Sequence, residues 1–118
     1  MTRMTGEISE RMRQCIDTCD ECHRVCEQTI DHALRQGGAM VERGVMSTLM
    51  DCADICRLSA DMMMRQSPMA NTVCMICAEV CRACADACSR FDDDATRACA
   101  EACHRCAESC TEMAGMRM

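Results

Sequence analysis

Cysteine recurs along this chain at steps of three and four. The positions are Cys15, Cys19, Cys22 and Cys26, then Cys52 and Cys56, then Cys74, Cys77, Cys81, Cys84 and Cys88, and last Cys99, Cys103, Cys106 and Cys110. Alternating steps of three and four trace one narrow stripe along an α-helix, the seam of a coiled-coil-like bundle. No segment alternates with period two, so strands are not expected. Extending each seam adds Ile8 and Met12 to the first stripe, Val45, Leu49, Ser59 and Met63 to the second, and Met113 to the last.

The breaks in the chain agree with four helices. Gly37 and Gly38 read as a helix stop, Ser67 and Pro68 as an N-cap followed by a first-turn proline, and Phe91–Asp94 as a loop offering aspartate caps. Gly115 closes the last segment. The helices are therefore expected at about 6–36, 39–65, 68–90 and 94–114. Acid-then-Arg pairs four residues apart support them: Glu7/Arg11, Asp20/Arg24, Asp31/Arg35, Asp61/Arg65, Asp86/Arg90, Asp93/Arg97 and Glu101/Arg105. A short unit, Cys-Ala-acid-x-Cys, recurs at Cys52, Cys77, Cys84, Cys99 and Cys106. Its acid lies two residues past the first thiol, about 200° around the helix, and so faces water. The alanine flanks the seam and lets helices approach closely. These features predict an all-α fold: one domain over 1–118, an up-down-up-down four-helix bundle with a Cys-lined core.

What could fill that core? Only three Leu, five Ile, five Val and one Phe are available among 118 residues, while Cys contributes 15 and Met 14. A chain so poor in aliphatic residues normally fails to bury enough apolar surface to fold. Sulfur side chains, or something they hold, must take the place of the usual core. Cysteine as a mere small apolar residue explains one or two such positions, not a whole seam.

Several function classes recede. A net charge of −6 disfavours nucleic acid as a partner, although all 13 basic residues are Arg. No apolar run approaches the length of a membrane span. The first eight residues, MTRMTGEI, lack an apolar signal core, which points to the cytoplasm, where thiols stay reduced. An odd number of cysteines and the poor aim of thiols four apart on one helix argue against a disulfide framework.

Metal binding is the reading that uses the thiols. The CxxC pairs Cys19/Cys22, Cys74/Cys77, Cys81/Cys84 and Cys103/Cys106 fall in mid-helix, not on the turns of zinc knuckles, and no ferredoxin-type run is present. Cu(I) accepts two or three soft sulfur ligands, and a thiolate can bridge two ions. A stripe of thiols can thus hold a row of Cu(I) ions, roughly one per thiolate and on the order of 12–20 per chain. Each ion displaces a proton and neutralises a buried thiolate. A store for zinc or another thiophilic ion is one alternative. A thiol-disulfide redox protein is another, and would show one accessible thiol of low pKa. The Cu(I) store is a binding protein with no catalytic turnover, whereas the redox role is enzyme-like.

The segments Asp51–Cys56, Val73–Cys88 and Cys99–Cys110 resemble those of the cytosolic bacterial copper storage proteins, and the Gln66–Pro68 turn fits as well. Those proteins are Cys-rich four-helix bundles that load many Cu(I) ions inside the bundle, and the resemblance covers nearly the whole chain. It implies Cu(I) ligation by all fifteen cysteines and assembly as a homotetramer. Relatives often carry histidine in the loop before the fourth helix, where this chain has Phe91–Asp94. Some have a further cysteine where this chain has Val45. Both departures imply a somewhat lower capacity.

Methionine and histidine add candidates. Met12, Met63 and Met113 continue the seam towards the end shared by the termini and the 66–68 turn, where thioethers could receive Cu(I) or simply fill the core. Met62 and Met64 flank Met63 and cannot both point inwards, and Met40, Met46 and Met50 are expected at the opposite end. His23 and His104 each follow a cysteine by one residue and fall off the seam, as surface imidazoles. His32, near the end of the first helix, could reach the mouth of the bundle as an accessory ligand.

Overall fold

A computed structural model describes residues 8–115. The helices are α1 (Glu10–Gln36), α2 (Arg43–Met64), α3 (Ala70–Cys88) and α4 (Asp94–Ala114), and no strand occurs among the described residues. Each helix runs antiparallel to its neighbours in a closed square: α1 packs on α2 and α4, and α3 packs on α2 and α4. The backbones of diagonal helices stay apart, leaving a central line for side chains.

The helix ends have local causes. Ser9 caps α1, its hydroxyl accepting from the Met12 N–H at 3.1 Å, so the helix begins at Glu10 and not near residue 6. At the other end Gly37 (φ 70°) and Gly38 (φ 63°) adopt left-handed backbone, and the Gly37 N–H returns to the Ala33 carbonyl at 2.8 Å. Residues Gly38–Val41 then form a short 3-10 turn, and an extended Glu42 precedes α2. The second helix accordingly starts at Arg43, four residues later than the sequence pattern suggests.

Helix α2 ends with Gln66 in left-handed backbone (φ 50°). The Gln66 N–H bonds the Met63 carbonyl at 3.0 Å and the Ser67 N–H bonds the Met62 carbonyl at 2.9 Å, the pairing of a Schellman stop. Ser67 and Pro68 lie in the turn before α3 and not in its first turn. The Ser67 hydroxyl still does cap-like work, accepting from the Met69 N–H at 3.1 Å. Ser89 and Arg90, expected in the third helix, are in the turn after it.

Of the aspartates in the loop before α4, Asp93 is the cap. Its Oδ1 accepts from the Thr96 N–H at 2.8 Å and from the Thr96 hydroxyl at 2.6 Å. Those two bonds, and then His32, hold its carboxyl down at about 2. Asp93 is therefore not the partner of Arg97, which pairs instead with Asp92 and Asp94, both at 2.6 Å. Arg105 likewise reaches Glu21 on α1 at 2.9 Å, not Glu101, and Asp61 pairs with Arg57 at 3.5 Å, not with Arg65. The Asp31–Arg35 pair forms at 3.0 Å. The Glu7/Arg11 pair lies outside the described residues through Glu7. Arg11 itself ties α1 to α4, donating to the Ser109 carbonyl and hydroxyl at 2.9 and 2.7 Å.

The core divides along its length. Its middle is cysteine, flanked by Ala53, Ala60, Ala78, Ala85, Ala100 and Ala107, all buried. Small flanking residues bring the helices close enough for thiols to span the centre. Larger side chains appear only towards the ends: Met12, Met63 and Met113 at one, Leu49 at the other. The acid of every Cys-Ala-acid-x-Cys unit, Asp54, Glu79, Asp86, Glu101 and Glu108, is exposed.

Candidate metal centre

All fifteen cysteines are buried and free, none more than 1% exposed. Neighbouring sulfurs approach to 3.6–3.9 Å within and between helices. Down the α1–α4 side the pairs are Cys15–Cys110, Cys19–Cys110, Cys19–Cys106, Cys22–Cys103 and Cys26–Cys99. Down the α2–α3 side they are Cys56–Cys77, Cys56–Cys81 and Cys52–Cys81. Cys52–Cys103 and Cys56–Cys106, both at 3.8 Å, cross the diagonal from α2 to α4.

These contacts merge into overlapping groups of four whose sulfurs all lie within 4.8 Å of one another. From the methionine end the order is Cys19/Cys77/Cys106/Cys110, Cys56/Cys77/Cys81/Cys106, Cys22/Cys52/Cys56/Cys81, Cys22/Cys26/Cys52/Cys103 and Cys26/Cys84/Cys99/Cys103. Each group shares two cysteines with the next. The sulfur line therefore has no gap at which one site ends and another begins. Cys15 extends it through Cys110 at 3.9 Å, and at the far end the neighbouring Cys84 and Cys99 push the Cys88 thiol up. Cys74 sits 3.8 Å from the Met63 sulfur.

The spacing suits a thiophilic ion. With a metal–sulfur bond of about 2.3 Å, sulfurs in a trigonal or tetrahedral site lie about 3.8–4.0 Å apart. The contacting pairs already lie within tenths of an ångström of that spacing, and the widest sulfurs of a group, up to 4.8 Å apart, would close by up to about 1 Å. The network also sets neighbouring thiols apart in acidity. The neighbouring Cys110, Cys19 and Cys56 thiols hold the Cys106 thiol below its ordinary range against the cost of burial. The same contact with Cys106, with burial added, pushes Cys19, Cys56 and Cys110 well up. A thiolate formed at Cys106 would be stabilised by its neighbours' S–H groups.

The other sequence candidates separate. Met12, Met63 and Met113 are buried together at the end that holds the α2–α3 turn. Met64 and Met50 are exposed, and Met62, Met40 and Met46 half-buried, so Met50 does not pack the far end. His32 sets Nε2 3.1 Å from Asp93 Oδ2, tying the end of α1 to the cap of α4. His104 is exposed. His23 is not a plain surface imidazole: its Nδ1–H donates to the Ala53 carbonyl at 2.7 Å and links α1 to α2. Only its off-seam position hinted at that, because the carbonyl belongs to another helix.

The model of the copper storage protein family matches residues 8–115. This chain belongs to the copper storage protein family. BsCsp3, a copper storage protein of Bacillus subtilis, in its Cu(I)-bound form, is 34% identical and superposes with a TM-score of 0.85 over 90% of this chain and 100% of its own. A protein of Nitrosospira multiformis is 37% identical, with a TM-score of 0.87 over 92% of this chain and 98% of its own. The copper storage protein Ccsp of Streptomyces lividans, loaded with 10 copper equivalents, is 34% identical, with a TM-score of 0.80 over 89% of this chain and 84% of its own. Among the described residues, no helix of this copper storage family member is long and apolar enough to cross a membrane.

Proposed function

We propose that this protein is a cytoplasmic store for Cu(I), holding many ions on its fifteen cysteines and turning over no substrate. The observation that carries the reading is the unbroken line of buried thiols, in which each group of four shares two members with the next. A line of shared ligands suits an ion content to be accumulated, where an electron-transfer or catalytic centre needs one bounded site. The Cu(I)-bound and copper-loaded relatives support it. The family resemblance adds a homotetramer.

Charge favours Cu(I) over zinc. Each Cu(I) cancels one thiolate, so a filled line is close to neutral inside an apolar core. A zinc ion on four unshared thiolates leaves two excess negative charges there, and buried uncompensated charge is expensive. The redox alternative asks for an accessible thiol, and every thiol here is buried.

Met12, Met63 and Met113 are the accessory ligands of this scheme. A thioether is soft and carries no proton, so it can receive Cu(I) without acid release. Met63 is in van der Waals reach of Cys74, the nearest thiol. His32 has its Nε2 on Asp93 and serves that cap first.

Anaerobic titration of the reduced chain with Cu(I), against a chromophoric Cu(I) chelator and with Zn(II) in parallel, tests the proposal. On the order of 12–20 Cu(I) per chain are expected, in preference to Zn(II). Two to four ions, or a preference for zinc, would overturn it.

A further inference from the structure

Helix α2 carries a hydroxyl where its seam otherwise carries sulfur. Leu49, Cys52, Cys56, Ser59 and Met63 follow one another at steps of three and four, and none is more than 1% exposed. The Ser59 Oγ is fully buried and has no hydrogen-bond partner. Helical hydroxyls elsewhere in the bundle solve this problem locally. Thr18, Thr29, Thr48 and Thr111 each donate to the carbonyl four residues back, at 2.7–2.9 Å. The Ser59 hydroxyl makes no such bond to the Ile55 carbonyl.

Its level in the bundle is defined by its neighbours. Cys56, one step before it, lies 3.8 Å from Cys77, and Met63, one step after it, lies 3.8 Å from Cys74. The group Cys19/Cys77/Cys106/Cys110 at that level draws on α1, α3 and α4 only. Ser59 is the next α2 seam residue on the methionine side of Cys56, which itself touches Cys77 and Cys106 of this group.

We infer that Ser59 is a positioning residue: its buried hydroxyl is a hydrogen-bond donor held for the metal-bound thiolates of the Cys19/Cys77/Cys106/Cys110 layer. The inference rests on the copper reading above. A neutral hydroxyl is a hard ligand and does not compete for Cu(I). A protonated thiol is a weak acceptor, whereas a thiolate keeps negative charge and lone pairs after it has bound an ion, and accepts a charge-assisted bond. In the metal-free protein the hydroxyl is buried without a partner, which destabilises that state. Loading creates the partner. One side chain thus works against the empty bundle and for the filled one, as an outer-shell donor tunes a metal site.

The test compares the full wild-type chain with Ser59→Ala, each metal-free and loaded with Cu(I) under anaerobic conditions. The metal-free variant is expected to melt higher, by on the order of 4 °C, because the orphan donor is gone. Its gain in Tm on loading should be smaller than the wild type's, and a Cu(I) chelator should strip part of its copper roughly tenfold more readily. A metal-free variant that melts lower, or a loading gain and chelator competition equal to the wild type's, would overturn the inference. Ser59→Cys checks the placement independently: a thiol there should raise uptake by about one Cu(I), and unchanged uptake would mean the position does not face the layer. If the wild-type chain itself takes up no Cu(I), the copper reading falls and this one with it. Normal wild-type uptake with no Ser59 effect removes this inference alone.

Discussion

At the end that holds the α2–α3 turn, Met12, Met63 and Met113 close the sulfur line; at the opposite end Leu49, Thr29, Ala33 and Thr96 are the buried residues beyond the last thiols. Both plugs are buried, but their chemistry differs. The methionine plug carries thioethers, the accessory ligands proposed above, and the Met63 sulfur touches Cys74 at 3.8 Å. The opposite plug offers aliphatic carbon and two hydroxyls already engaged, Thr29 with the Val25 carbonyl and Thr96 with Asp93. Under the proposed function, a soft cation would step from sulfur to sulfur through the first and find no thioether or thiol in the second. The contrast teaches that sealing a core and admitting an ion are compatible where the seal is itself a chain of weak ligands.

The contrast can be broken from either side. Leu49→Ala should cost about 3 kcal/mol of stability, as a large-to-small change in a packed core, and leave the rate of Cu(I) uptake unchanged. Urea unfolding and stopped-flow uptake would read the two quantities, and faster uptake in this variant would mean that copper passes the aliphatic end. Replacing Met12, Met63 and Met113 together by Leu keeps volume and removes the thioethers. Uptake should slow by roughly tenfold or more, with less than about 1.5 kcal/mol lost per site. An unchanged rate would make the methionines ordinary core.

Smaller effects sharpen the far end. Asp93→Ala removes the cap of α4 and the partner of His32, for about 1 kcal/mol at neutral pH. The Asp93 carboxyl is held down at about 2, below its ordinary 3.8. Its contribution is therefore fully present above about pH 4 and is lost as the pH falls through about 2. Unfolding curves of the metal-free wild type and Asp93→Ala should converge over that window, and a gap that persists at lower pH would assign the effect to something other than the carboxylate. Gly37→Ala acts on the fold alone. A methyl group there meets no atom within 4 Å, so its cost is the backbone alone (φ 70°, ψ −156°, a region almost confined to glycine), about 1–3 kcal/mol. A shift in Tm measures it, and copper uptake should not change.

The sulfur line was legible because helical periodicity is a property of one segment at a time. Steps of three and four put every cysteine on a seam, and four seams have nowhere to go but inwards. What pairs with what across the bundle depends on the register between helices, which no single segment encodes. The sequence assigns Arg105 to Glu101, but the nearer carboxylate is Glu21 of α1 at 2.9 Å. It assigns Arg97 to Asp93, but the cap of α4 and His32 already occupy that carboxylate. His23 looks idle until the Ala53 carbonyl of α2 appears beside it. Ser59 was visible as a seam residue, while the lack of any partner for its hydroxyl required all four helices in place.

The two-cysteine overlap between successive groups has a consequence for traffic. Ions in such a line stand in single file, and none can pass another without leaving the sulfur it stands on. If the methionine end is where ions exchange, the copper that arrived last is the first to go, and the oldest sits deepest, beside Cys88 and Cys99. The protein would then keep a fast-turning reserve near Cys74 and Cys15 and a slow one at the closed end, within one fold and with one kind of ligand.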